Sequence, residues 1–417
     1  MKKYKNISVF KRFSYFSLFL LIIIVLPGFI EKSDWGFYGH KKINRMAVFT
    51  LPPEMMYFFK KNIEFFTDHA PDPDKRKYID PHEAIKHYID IDYWGEYPFY
   101  DLPRRWTDVM IKYVEIYAID GDEKALLFGP KVNEIKNDTI FGNNFQCPFP
   151  TYKSFIKKYV AGKILDQDID LPLDSVASRL NIDLSIYSDS KIHIEEHFSQ
   201  EGIVPYHLYH YYFALVNAFE ERNPKKILRR ANDIGHYIAD AHVPLHTTKN
   251  YNGQLTNQIG IHAFWENRIP ELLGDTEFDY LVGKAEYIEN VRDFFWSIVL
   301  KSHSLKDKVL EAEKRVSNSF PDNEKYEFID RNGIITRVQS EKYTRAFNKE
   351  MNGMVEMRMR DAIKALGDTW YTAWIDAGQP ELKNLEDIQW TKEELEQIKK
   401  LKNAEKNGHL MGRDHWD

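Results

Sequence analysis

"HYIADAHVPLH" occupies positions 236 to 246. The residues before it, "PKKILRRANDIGHYIADA" (224–241), place apolar side chains at three- and four-residue intervals, which is helical spacing. His236 and Asp240 are four residues apart and so share one helix face. Pro244 lacks a backbone N–H and cannot continue the helix, which leaves His246 on the loop just beyond. The three side chains could converge on one point. An ordinary helix end with polar groups facing water would read the same way, so the rest of the chain must decide.

Outward from this stretch the pattern stays helical. "KKINRMAVFTLPPEMMYFFKKNIEFF" (41–66) has helical spacing, and its Pro52–Pro53 pair suits the first turn of a second helix. "YHLYHYYFALVNAFEE" (206–221) and "MVEMRMRDAIKALGDTWYTAWIDA" (354–377) read as two more helices. Thr391 and Glu394 have capping-box spacing before "LEQIKKLKNAEK" (395–406), a charged and peripheral helix. Residues 128–200 are rich in turn formers and weakly periodic, as in "NDTIFGNNFQCPFPTYK" (137–153), and read as an insertion or cap. No spacing of short strands suggests a barrel or sandwich. The expectation is an all-α fold: one mostly helical domain over 35–380, with a charged helix and tail over 381–417.

Composition narrows the chemistry. With 43% apolar or aromatic residues in 417, the chain can bury a sizeable core. Its formal charge of −6 provides no global attraction for nucleic acid. The single cysteine, Cys147, excludes a disulfide framework and a thiolate-rich metal site, so any metal must be held by His, Asp, Glu or backbone. No glycine-rich phosphate loop is present. The basic "MKKYKNISVFKRF" (1–13) and apolar "SLFLLIIIVLPGFI" (17–30) read as an export signal, with a retained membrane anchor as the alternative. The expected location is periplasmic or secreted.

Further His and carboxylate residues follow the same logic. In "GIHAFWENR" (260–268), His262 and Glu266 repeat the four-residue spacing, with Trp265 between them as packing. Upstream, "HAPDPDKRKYIDPHEAIKHYIDID" (69–92) offers Asp72, Asp74 and His87, and "WGFYGH" (35–40) offers Trp35 and His40. His242 falls off the His236/Asp240 face and is expected at the surface or behind the ligands.

Taken together and in this order, these motifs resemble the zinc-dependent phosphodiesterases that comprise the fungal-type single-strand nucleases and the bacterial phospholipases C. That resemblance implies a helical, exported enzyme with three zinc ions. "WGFYGH" resembles a mature N-terminus in which Trp35 ligates through its amino group and carbonyl, joined by His40. "HYIADAHVPLH" supplies His236, Asp240 and His246, with Asp240 bridging two zincs, and "HAFWE" supplies His262 and Glu266. "KHYIDID" supplies His87. The remaining ligand is Asp72, which has the nuclease spacing, or its neighbour Asp74. The implied chemistry is attack of a zinc-activated water on phosphorus, with no Ser or Cys nucleophile.

The sequence departs from the pattern in places. The nucleases carry a phosphate-binding Arg three residues after their Asp; counted from Asp72, Lys75 stands there and Arg76 follows. A free Trp35 amino group requires cleavage after Asp34. Tyr88 and Asp90 match nuclease residues that contact a base, with a buried Tyr and a solvated Asp as alternatives. Single-stranded nucleic acid is the expected substrate, phospholipid head groups the alternative, and a non-catalytic zinc protein a third reading. No protein partner is indicated and a monomer is expected. "HIEEH" (193–197) fits an inverted metalloprotease motif, but only if it lies on a helix.

Overall fold

The computed structural model describes residues 37–163, 168–331, 333–385 and 388–407. The stretch read as an export signal and Trp35 lie outside the described residues. Among those described, no helix is long and apolar enough to cross a membrane.

The helices carry the centre of the molecule. α1 (Tyr38–Ala47), α2 (Pro53–Lys61) and the short α3 (Asp72–Arg76) come first. Then follow α4 (Val204–Glu220), α5 (Pro224–Ala241), α6 (Val291–Ser319), α7 (Met354–Asp376) and α8 (Lys392–Asn407). α5 starts at Pro224 because proline's missing N–H costs nothing in a first turn, and the Asn223 side chain accepts the Lys226 amide (3.1 Å) as its cap. It is buried from Asn232 to Ala241 and packs against α1, α4 and α7. Trp370 of α7 packs against the stacked rings of Phe59 and Phe66 and donates to the Ala231 carbonyl (2.9 Å).

The fold is not all-α: strands make up 11% of it beside 57% helix, in three small sheets. β1 (Glu115–Asp120), β2 (Glu123–Phe128), β6 (Ile169–Pro172) and β7 (Lys191–Glu195) form an antiparallel sheet of order β2-β1-β7-β6. β3 (Glu134–Lys136), β4 (Thr139–Phe141) and β5 (Gln146–Pro148) form a second sheet, and the hairpin β8 (Tyr326–Arg331) and β9 (Ile334–Gln339) a third. The strands escape a periodicity reading for a physical reason. Each has six residues or fewer, and β1 pairs with β7 across 72 to 80 positions of chain, Ile116 opposite Ile194. Alternation is present, with Ile116 and Ala118 buried in β1 and Ile192 and Ile194 in β7, but over too short a window to compete with helical patterns. The sheet-bearing segment therefore begins near residue 115, ahead of the expected 128. It returns to the helical body where the Asp90 amide donates to the Glu201 carbonyl (2.7 Å) and the Val204 amide to that of Tyr88 (3.1 Å).

Candidate metal centre

Gly235 decides how closely α1 and α5 approach. A Cβ there would overlap the Asn44 Oδ1 atom of α1 and crowd Leu366 of α7. Asn44 in turn donates to the carbonyl and side-chain oxygens of Asn232, at 3.1 and 3.2 Å. This tight crossing stacks the ring of His40, in the first turn of α1, on that of His236, with centroids 3.9 Å apart.

Three buried or half-buried groups of metal-ligating side chains lie around this crossing: His40, His236 and Asp240; Asp74, His87 and His236; and His246, His262 and Glu266. α5 supplies His236 and Asp240, one turn apart. The 3₁₀ turn Pro244–Thr247 supplies His246, as the helix-ending proline requires. His262 and Glu266 come from the helical turns Ile261–Ala263 and Phe264–Arg268. Asp74 sits on α3, and His87 just after the turn Ala84–Lys86.

Two carboxylates connect the groups. Asp240 turns Oδ2 to His87 Nδ1 (2.8 Å) and His236 Nε2 (3.2 Å), and Oδ1 to His40 Nε2 (3.6 Å). Glu266 turns Oε2 to His262 (2.8 Å) and His246 (3.4 Å), and Oε1 to His40 (3.4 Å). Asp74 Oδ1 stands 3.5 Å from His236 Nε2 and 3.6 Å from His87 Nδ1.

The histidines are aimed by backbone carbonyls. His236 Nδ1–H donates to Ala70 (2.9 Å) and His246 Nδ1–H to His87 (2.8 Å). Each proton on Nδ1 leaves the Nε2 lone pair pointing into the cluster. There the nitrogens face one another: His246 Nε2 and His262 Nε2 at 3.0 Å, His236 Nε2 and His87 Nδ1 at 3.1 Å. Two lone pairs at that distance repel unless a proton or a cation lies between them. Donors at ~2.0–2.1 Å around a tetrahedral zinc are ~3.3 Å from each other, close to the separations found here.

Electrostatics point the same way. Burial alone would raise Asp74, but Lys77, then His236 and His87, hold it well below the usual carboxylate range. Asp240 is likewise kept low against burial by His236 and His246, and Glu266 by His246 and His262. Burial would lower His236, yet Asp240 and Asp74 push it up to about 10, and Asp240 and Glu266 raise His246. Buried anions without compensating cations are costly. An all-nitrogen-and-oxygen donor set that includes three carboxylates fits divalent cations, and these groups could hold a metal ion.

Other expected site residues fall elsewhere. Asp72 pairs with His69 (2.7 Å) and lies 3.7 Å from Lys75, while Asp74 faces the cluster. Lys75 is buried over the Phe37 ring. Arg76 points away, to Asp233 (3.1 Å), Glu83 (3.3 Å) and the Tyr237 hydroxyl (3.1 Å). Tyr88 is buried and donates its hydroxyl to the Gln200 carbonyl (3.1 Å); Asp90 is buried beside it in the chain. His242 is buried too, its ring bonded to the Ile238 carbonyl (2.7 Å). "HIEEH" lies on and just past strand β7, which removes the helix that a metalloprotease motif needs. The sequence reading missed Lys77, which is fully buried with Nζ 2.6 Å from Asp74 Oδ1. Its signal was present: Lys77 follows Asp74 by three residues, as Lys75 follows Asp72.

No protein-family model and no curated protein matches this chain.

Proposed function

We propose that the chain is a zinc-dependent phosphodiesterase that holds three zinc ions and cleaves single-stranded nucleic acid. The observation that carries this reading is the sharing of Asp240 between two His-containing groups, with a third His–His–Glu group joined to them through Glu266. By resemblance, Trp35 would complete the set.

In such a site His40, Asp240 and His236, with Asp74 and His87, would hold a pair of ions, and His246, His262 and Glu266 the third. Bound zinc supplies neutralisation of phosphoryl charge and activation of water for attack on phosphorus. The chain's own residues do the rest. Asp240 fixes the spacing of the two groups through its two oxygens. The carbonyls of Ala70 and His87 keep the imidazole lone pairs aimed inward. Lys77 pins Asp74, and it stands at the interval where the nucleases carry their Arg.

A second reading, phospholipase C activity, draws support from the substrate side. Tyr88 is buried, which hinders stacking on a base. Leu255 and Ile259, 63% and 69% exposed, sit on the loop that joins His246 to His262, where a lipid surface could be met. The test is hydrolysis of single-stranded DNA, RNA and phosphatidylcholine, each with and without a chelator. Chelator-sensitive nucleotide release supports the nuclease reading. Phosphocholine release alone moves the protein to the phospholipases. No cleavage of any substrate by zinc-loaded protein rejects both.

A further inference from the structure

His87 presents Nδ1 to the cluster, so its Nε2 lies on the far side of the ring. That atom is fully buried and has no hydrogen-bond partner among the described residues. The nearest carboxylate is that of Glu83, one turn earlier, with Oε1 3.7 Å from Nε2. Glu83 is itself 2% exposed. It is held from several sides: the Tyr237 hydroxyl donates to Oε1 (2.5 Å), Arg76 Nε lies 3.3 Å from the same oxygen, and Lys86 Nζ 2.8 Å from Oε2. Tyr237 follows His236 on α5, and its ring stands edge-on to His87, centroids 5.3 Å apart. Glu83 thus ties the turn that bears one candidate ligand to the helix that bears another.

A neutral imidazole has one proton. If it sits on Nδ1, His87 cannot ligate where its ring points; if it sits on Nε2, Nδ1 is free. A carboxylate behind Nε2 decides between the two, because a buried N–H needs an acceptor and no other carboxylate faces that atom within 4 Å among the described residues. We infer that Glu83 is a positioning residue whose carboxylate, 3.7 Å from Nε2, keeps the proton of His87 on that nitrogen and so makes Nδ1 the metal donor, an inference that rests on the zinc-site reading above. Asp240, already beside Nδ1, is then left free to ligate rather than to accept a proton from His87.

The test uses zinc-loaded full-length protein, with zinc affinities measured by competition against a chromogenic chelator, and Glu83→Ala beside Glu83→Gln. In Glu83→Ala one zinc equivalent is expected to weaken by about 10–100-fold while the other two hold, as for loss of a partner behind a ligand. Glu83→Gln, whose amide oxygen can still accept, is expected to fall between this and wild type, and it carries the test if Glu83→Ala does not fold. Thermal unfolding in chelator should change less than the affinity of the weakened zinc. In cobalt-substituted protein, one exchangeable imidazole N–H resonance should disappear in Glu83→Ala. Unchanged affinity for all zinc equivalents, or uniform weakening of all of them together with the fold, overturns the role of Glu83. A wild type that retains no zinc overturns the metal site itself, a different and separately visible result.

Discussion

Asp240 and His87 are 153 positions apart in the chain and 2.8 Å apart in space. That contact joins α5 to the turn that follows Ala84–Lys86, and it places His87 between Asp240 and Asp74. Removing the imidazole leaves Asp74 and His236 with the remaining donors only. His87→Ala is therefore expected to weaken one zinc by more than about 100-fold, beyond the loss typical of an outer partner. Metal content after dialysis should drop by one equivalent. Full retention would show that His87 is not a ligand.

The approach of α1 to α5 depends on the absence of a side chain at Gly235. Gly235→Ala should force Asn44 and Leu366 apart and destabilise the fold by ~1–3 kcal/mol, the usual cost of overpacking. Because His40 rides on α1, zinc affinity should fall with stability. Gly162→Ala, where an added Cβ meets nothing among the described residues, is the control and should leave both unchanged. Denaturant unfolding with and without zinc reads the difference.

Lys77 and Lys75 make opposite predictions. Lys77→Met removes the cation on Asp74 and should reduce hydrolysis by about 10–100-fold, as for other residues that orient a ligand. Lys75→Met acts beside Asp72, outside the cluster, and is expected to cost stability more than rate. Steady-state kinetics on the two variants, normalised to folded protein, separates the roles.

Zinc uptake should release protons. Without a bound cation His236, raised to about 10, holds its proton at neutral pH, and ligation must displace it. The sign for stability follows. The contribution of His236 to the metal-free fold is complete below its unfolded value of about 6.5 and is lost as pH rises towards 10. The melting temperature of chelated protein should thus decline over that window while that of zinc-loaded protein holds, and calorimetry in buffers of different ionisation enthalpy should count the protons released. A pH-independent gap between the two forms contradicts this account.

"HIEEH" offers a negative control. His193 lies in β7, 2.7 Å from Asp170 and 3.1 Å from Glu195, but Lys191 and Lys124 already neutralise those carboxylates at 2.6 and 2.7 Å. His193→Ala, half-buried on β7, and His197→Ala, exposed, should leave zinc content and hydrolysis within about twofold of wild type, as expected of substitutions away from the cluster.

What could be read in the sequence tracks how local the physics is. His236/Asp240 and His262/Glu266 were legible because one helical turn fixes their relative direction, and His246 because Pro244 fixes where the helix stops. The Thr391–Glu394 capping box was legible for the same reason, and both of its hydrogen bonds are present, at 2.8 and 3.2 Å. Asp72 and Asp74 could not be separated, since they share the single short turn of α3 and only the contact with His87 and His236 distinguishes them. Lys77 was hidden by counting from the wrong Asp. The β1–β7 pairing was invisible because its partners lie far apart in sequence and each strand is too short to show its period. Tyr88 has a suitable ring, but only the three-dimensional packing near Gly202 shows it to be buried.

The central claim is that Asp240 holds two cations of a hydrolytic centre. The most direct measurement is zinc per chain after exhaustive dialysis, taken with phosphodiester hydrolysis on the same samples, for wild type and Asp240→Asn. The account predicts about three zinc ions per wild-type chain, a loss of at least one in Asp240→Asn, and hydrolysis reduced by more than about 100-fold. Equal zinc content and equal hydrolysis in the two proteins would contradict it.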